Sequence, residues 1–299
     1  MVLPTVIALV VVALLGVAVL VWDRRRTPLP AASAGAANRH AALTAAVGWA
    51  SLIGGLVVGA IGVMMGNLNL GGRTIALIPC AAGIVFLAVH TAGELTWPRP
   101  RGEVRVARLA VRDTGDVAPS WLRAAPWAWA SLLTVALVAF GAMAYGPRTI
   151  AATVPAGALV GAGRAYEVGP FPGWWYGVPL LIGTAAMLLS TELVLRLITL
   201  RPALTDIPAD WDMALRRRSA RRVLRGGQAP LAMTTSGVLW VAHQAIARGT
   251  SPSDLLAGTC LVLAWMAAVG GIVVMALPGR DFRAHRAPGL ARAHTEMAA

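Results

Sequence analysis

Seven apolar stretches punctuate the chain, at 3–22, 43–66, 74–94, 126–146, 174–199, 229–248 and 254–278. Each meets or nearly meets the ~20 residues that a helix rising about 1.5 Å per residue needs to cross a ~30 Å hydrocarbon core. Backbone polar groups in lipid must be satisfied within the segment, so runs of this length read as helices. The pattern predicts an all-α integral membrane helical bundle with seven transmembrane helices.

The connections orient that bundle. All 26 basic residues are arginine, and they alternate in density along the chain. Segments 23–42, 99–123 and 196–225, with the residues from 280 onward, hold 22 of them, whereas the alternate connections hold only Arg73, Arg148, Arg164 and Arg248. Arginine-rich short loops stay on the cytoplasmic side during insertion. The expected topology therefore has the N-terminus outside and the C-terminus in the cytoplasm. No positive charge precedes the first stretch, and Arg24, Arg25 and Arg26 follow it, so it reads as an uncleaved span and not as a signal peptide.

The expected organisation is an N-terminal transmembrane helix in 1–22, a cytoplasmic linker at 23–42, a six-helix bundle over 43–278 and a cytoplasmic tail at 279–299. The bundle divides into hairpins 43–94, 126–199 and 229–278, with cytoplasmic segments 95–125 and 200–228 and an outer loop at 147–173. Two of the hairpins carry matching residues. Trp49-Ala50-Ser51-Leu52 recurs as Trp129-Ala130-Ser131-Leu132, and Pro79, Gly83 and Thr91 match Pro179, Gly183 and Thr191. These matches point to parallel two-helix hairpin repeats, the second with a longer outer loop. Within that loop 149–163 is too short to span, and its Ala, Val and Gly content places it in or on the membrane. Trp174, Trp175 and Tyr176 follow as an interfacial belt.

Composition agrees: the chain is 57% hydrophobic and 13% charged, with mean hydropathy +0.68. The formal charge of +13 does not mark a nucleic-acid binder, because the arginines flank spans instead of lining one soluble face. Anionic headgroups are their expected partners, at about 1 kcal/mol per arginine near the surface. In 101–112, Arg101, Arg105, Arg108 and Arg112 fall on one helical stripe, but the run also alternates around Val104 and Val106, which leaves helix or strand open; 206–225 runs from acids to arginines as a helix macrodipole favours. Either segment could lie on the inner leaflet or dock a soluble partner, and lipid contact is the commoner use of such a helix. Arginine without lysine reflects a GC-rich genome, and the expected location is a bacterial plasma membrane, integral and multi-pass.

Chemistry is sparse. A polar layer in the cytoplasmic third is the candidate transport or packing site: His90, Thr91 and Glu94; Thr191, Glu192 and Arg196; and Thr234, Thr235 and Ser236. Ionisable groups inside a membrane are expensive and by default mark a path for an ion, proton or substrate. The competing account is structural, with hydroxyls bonding between helices or to their own backbone and Glu192 pairing with Arg196. His243 and Gln244 lie toward the opposite end of their span. Cys80 and Cys260 fall at matching depth but read as packing residues. Gly55 and Gly59 form a GxxxG pair that favours close helix approach. No metalloprotease, hydrolase or nucleotide-binding motif occurs, and Asp210-Trp211-Asp212 reads as a helix start. The expectation is thus a chain that is not an enzyme and has no cofactor, acting as an accessory or structural subunit alongside other membrane or cytoplasmic proteins. The alternative is a small secondary transporter or channel that uses the polar layer.

Overall fold

The computed structural model describes residues 32–65, 72–98, 113–153, 165–202, 209–249 and 254–277. Their helices are α1 (Ala32–Met64), α2 (Arg73–Leu95), the single turn α3 (Thr114–Val117), α4 (Ser120–Met143), α5 (Trp174–Leu200), α6 (Ala209–Arg248) and α7 (Asp254–Ala276). Five of them, α1, α2, α4, α5 and α7, are long and apolar enough to cross a membrane, and the chain is a multi-pass membrane protein. They take up the expected spans 43–66, 74–94, 126–146, 174–199 and 254–278. The expected span 3–22, the stripe at 101–112 and the tail 279–299 lie outside the described residues.

The sixth expected span differs from its neighbours. Residues 229–248 form the second half of α6, a 40-residue helix whose first half is the arginine-rich stretch expected to lie on the leaflet. At 1.5 Å per residue α6 is about 60 Å long, twice a bilayer core. It lies at the centre of the bundle against α7, α4, α2 and α5, and α7 makes its broadest contact. A helix enclosed by protein does not need an apolar surface, which is why α6 carries Arg216, Gln228, Thr234 and Thr235 in buried positions.

Small residues set the spacing. A side chain at Gly226 would run into the Phe86 ring, and one at Gly83 would run into Met187 and Pro230. The GxxxG pair acts within the chain, where Cβ atoms at Gly55 and Gly59 would lie 3.0 Å from Ala82 and 2.6 Å from Ile78. α2 and α5, the second helices of the matched hairpins, pack on each other. The polar spans are tied by one buried link: Trp129 Nε1 donates to Gln228 Oε1 at 2.8 Å, and Gln228 Nε2 donates to the Gly271 carbonyl at 3.0 Å. It joins α4, α6 and α7.

The bundle has two unlike ends. At one, α2, α5 and α7 finish beside the first halves of α1 and α6. There the Arg216 guanidinium, fully buried, donates to the carbonyls of Ile198, Thr199 and Arg201 and pairs with Asp212 at 2.9 Å. The last carbonyls of a helix have no partner within it, so Arg216 caps α5 with its side chain. The single turn α3 docks on the same end, closed by a capping box between Asp113 and Asp116. Arg217 Nε donates to the Asp116 carbonyl at 3.0 Å.

At the other end the all-α bundle carries two short strands, β1 (Ile150–Thr153) and β2 (Ala165–Val168), paired antiparallel with Ile150 opposite Val168. The expected membrane-embedded stretch 149–163 thus begins as a hairpin strand, and its remainder from 154 lies outside the described residues. Strand pairing satisfies the backbone of 150–153 directly. The hairpin rests on the end of α6, where Tyr166 Oη donates to the Arg248 carbonyl at 3.4 Å. Gly72 opens α2 with φ 84°, a left-handed conformation suited to glycine, and faces the Tyr176 hydroxyl. Arg73 lies over the Trp175 ring at 4.8 Å.

Candidate functional site

Three helix segments converge at the arginine-rich end. The last turns of α2 place His90 and Glu94 one turn apart on one face, with Trp97 just past the helix. α1 contributes His40, Ala41, Thr44 and Ala45, and α6 contributes Ser219, Arg222 and Val223. These residues and Gly93 line a partly open cavity of about 20 Å³, room for about one water molecule. Two glycines bring the walls together: a Cβ at Gly48 would lie 2.8 Å from His90 Cε1, and one at Gly93 would collide with Thr44. Larger residues there would push α1 off α2.

Buried charge surrounds the cavity. Arg201, just past α5, lies 3.8 Å from Glu94 with both side chains buried. Its guanidinium also stacks 3.8 Å above the Trp97 ring, a cation–π contact on the far side of the pair. His40 meets the edge of Trp97 at 5.6 Å, and its Nε2 donates to the Gly93 carbonyl at 2.8 Å. Arg222 Nη1 donates to the Ala41 carbonyl at 3.2 Å. His90 is 4% exposed and packs on Phe86 at 4.4 Å, yet neither ring nitrogen finds a hydrogen-bond partner among the described residues. The Trp97 indole nitrogen is in the same position. Buried polar groups of this kind are normally satisfied, so the cavity has unspent hydrogen-bonding capacity.

Of the expected polar layer, only His90 and Glu94 meet here. Thr191 is buried one turn of α5 away from Met187 and donates to its carbonyl at 2.8 Å. Thr234 and Thr235 donate to the carbonyls of Pro230 and Leu231, each at 2.8 Å. Thr234 also lies 3.5 Å from Cys80 Sγ, about ten residues of α2 away from His90. These hydroxyls serve the backbone of their own helices, and Thr235 also reaches the Trp129 carbonyl of α4 at 3.4 Å. Ser236 is half-buried in the second half of α6, 13 residues along the helix from cavity-lining Val223. Glu192 pairs with Arg123 at 4.0 Å and accepts from Trp127 Nε1 at 3.3 Å, not with Arg196, which is exposed. The reason is reach: α4 begins beside the end of α5 and offers Arg123 across the gap. His243 Nδ1 meets the Ala257 carbonyl at 2.9 Å. Cys80 and Cys260 are both buried free thiols.

His40, Trp97, Arg201, Arg216, Asp212 and Arg222 were not legible as site residues. In the chain they read as linker, loop and topology signal; only the fold gathers His40, Trp97, Arg201 and Arg222 around His90 and Glu94 and sets Arg216 and Asp212 against the end of α5. Among the described residues no three His, Cys, Asp or Glu side chains converge as a metal would need. What the arrangement can do is hold a small polar species against two imidazoles, an indole N–H, a carboxylate and the Arg222 guanidinium. No family model matches this chain, and neither a curated protein nor a solved structure shows detectable similarity to it.

Proposed function

We propose that this chain is a non-enzymatic component of a membrane assembly, an accessory or structural subunit that receives a partner's transmembrane helix along α6 and α7. One observation carries the reading. α6 is enclosed by its neighbours over most of its length, but its second half leaves one side open. That side presents Ser236, Gly237, Trp240 and Gln244, spaced for one helical face. Nothing lies within 4 Å of a Cβ built at Gly237 or at Gly258 on α7. Trp240 meets the exposed Trp265 of α7 edge-on at 6.4 Å and makes one wall of the same face. Ser236 and Gln244 have no hydrogen-bond partner among the described residues. Helices associate in lipid through small residues that admit a neighbouring backbone and through polar side chains that bond across. This face has both.

The arginine-rich end faces the cytoplasm of a bacterial plasma membrane in this reading. Exposed Arg39, Arg196 and Arg217 then lie where anionic headgroups gather. Gentle extraction of the native protein followed by mass spectrometry tests the assembly. A stoichiometric partner should co-purify with the wild type and be lost with Gly237→Leu, whose Cβ has open space around it. A solitary wild-type species sinks the reading. It would favour the second one, a small secondary transporter or channel, which rests on the polar cavity described above.

A further inference from the structure

We propose that the cavity between α1, α2 and α6 is a proton-binding site in which one water molecule joins His90 to Glu94. Among the described residues the Trp97 indole nitrogen, both His90 ring nitrogens and Glu94 Oε2 are buried and make no hydrogen bond. Arg201 stands 3.8 Å from Glu94 Oε2, an ion-pair separation beyond hydrogen-bond length, so the lone pairs of that oxygen stay open. The indole N–H only donates, an ionised carboxylate only accepts, and a neutral imidazole offers one donor and one acceptor. A water molecule does both. It accepts from Trp97, donates to Glu94 Oε2 and takes either role toward His90, with the Ser219 hydroxyl in the same wall. A space of about 20 Å³ holds one water molecule, and buried waters typically have about three such partners.

Two neighbours of this water are Brønsted groups, which separates it from a purely structural one. His90 and Glu94 lie one turn apart on α2, and no hydrogen bond joins them directly. With water between them, an imidazolium N–H releases its proton to the water while the water passes one of its own to the carboxylate. One N–H and one water O–H bond break; a new water O–H and a carboxyl O–H bond form. The charged pair becomes a neutral imidazole and a neutral carboxylic acid, and the total charge does not change. The mouth of the cavity is partly open, so the proton comes from bulk water. The charged and titratable groups around the pair are His40 on α1, Arg216 and Arg222 on α6 and Arg201 after α5. The inference stands apart from the assembly reading, and its failure leaves the co-purification result untouched.

The test is infrared difference spectroscopy on the purified full chain in lipid, with buffers of falling pH perfused over the film. Circular dichroism sets the pH range in which the bundle stays intact. Within it the wild type should gain the carbonyl stretch of a protonated carboxyl group that Glu94→Gln removes. Glu192→Gln, whose carboxylate pairs with Arg123 outside the cavity, should keep that band. His90→Leu should change the proton affinity read from the band roughly tenfold, as expected of two coupled sites. Trp97→Phe deletes the N–H that feeds the water and should shift the band's frequency without abolishing it. A water O–H stretch should titrate together with the band and move in heavy-oxygen water. If Glu94→Gln does not fold, Glu94→Asp keeps a carboxylate near Arg201 and should displace the band. A spectrum with no carboxyl band sensitive to position 94, a midpoint indifferent to His90→Leu, or the lack of a titrating water stretch overturns the assignment.

Discussion

Replacing Arg216 with alanine removes one guanidinium from four acceptors at once. Three are the carbonyls of Ile198, Thr199 and Arg201 at the end of α5, and the fourth is the Asp212 carboxylate at 2.9 Å. The side chain is fully buried, so water does not reach the vacated groups at once. Breaking a buried ion pair from one side costs about 3–5 kcal/mol, and hydrogen bonds to a charged group contribute about 1.5–3 kcal/mol each, though not additively. An overall loss of about 3–5 kcal/mol is expected for Arg216→Ala. Asp212→Ala leaves the three carbonyl bonds in place and should cost clearly less. Arg216→Lys restores the charge but not the fork, because an ammonium has a different donor geometry, and should recover under half of the loss. Reversible unfolding in mixed micelles of increasing SDS fraction reads all three. A loss below about 1 kcal/mol for Arg216→Ala, or full recovery with lysine, would refute the capping account and reduce Arg216 to a topological charge.

Two further outcomes can be checked with similar material. Gln228→Leu should cost about 1 kcal/mol, since it leaves the Trp129 N–H and the Gly271 carbonyl without their partner in a region where interhelical bonds are individually modest; a gain in stability in the same SDS titration would contradict the role of Gln228 as a three-helix tie. Arg217→Cys and Tyr166→Cys, both at exposed positions on opposite ends of the bundle, should react with a membrane-impermeant maleimide from opposite sides of the membrane, with the native cysteines protected by burial; labelling from one side would overturn the proposed orientation.

The apolar periodicity marked α1, α2, α4, α5 and α7 because each turns a wide face outward, as exposed Leu43, Val85, Val135, Leu189 and Val262 illustrate. Lipid imposes a composition that survives without knowledge of the packing. α6 escaped because its surroundings are protein, so nothing obliged residues 209–228 to look like the start of a span. The site was half visible for the same reason. His90 and Glu94 stood out as ionisable groups in an apolar run, whereas His40 and Arg201 lie in stretches where polar residues are ordinary. Glu192 also stood out, but it sits at the rim beside Arg123, and depth along a helix does not say which way a side chain faces. The short strands were hidden because their Ala- and Val-rich sequence fits an interfacial segment as well as a hairpin.

The central position of α6 has a consequence for how the protein is made. Its second half carries Thr234, Thr235, Ser236, His243 and Gln244, and its first half carries arginines, so the insertion machinery would gain little by releasing it alone into lipid. By the time it emerges from the ribosome, α1, α2, α4 and α5 have already been synthesised, and three of them supply walls that it packs against. Only α7 remains to be added. The order of the helices along the chain therefore works as an assembly schedule: the most polar member arrives after most of its sheath is in place, and the strongly apolar α7 then adds its broadest contact.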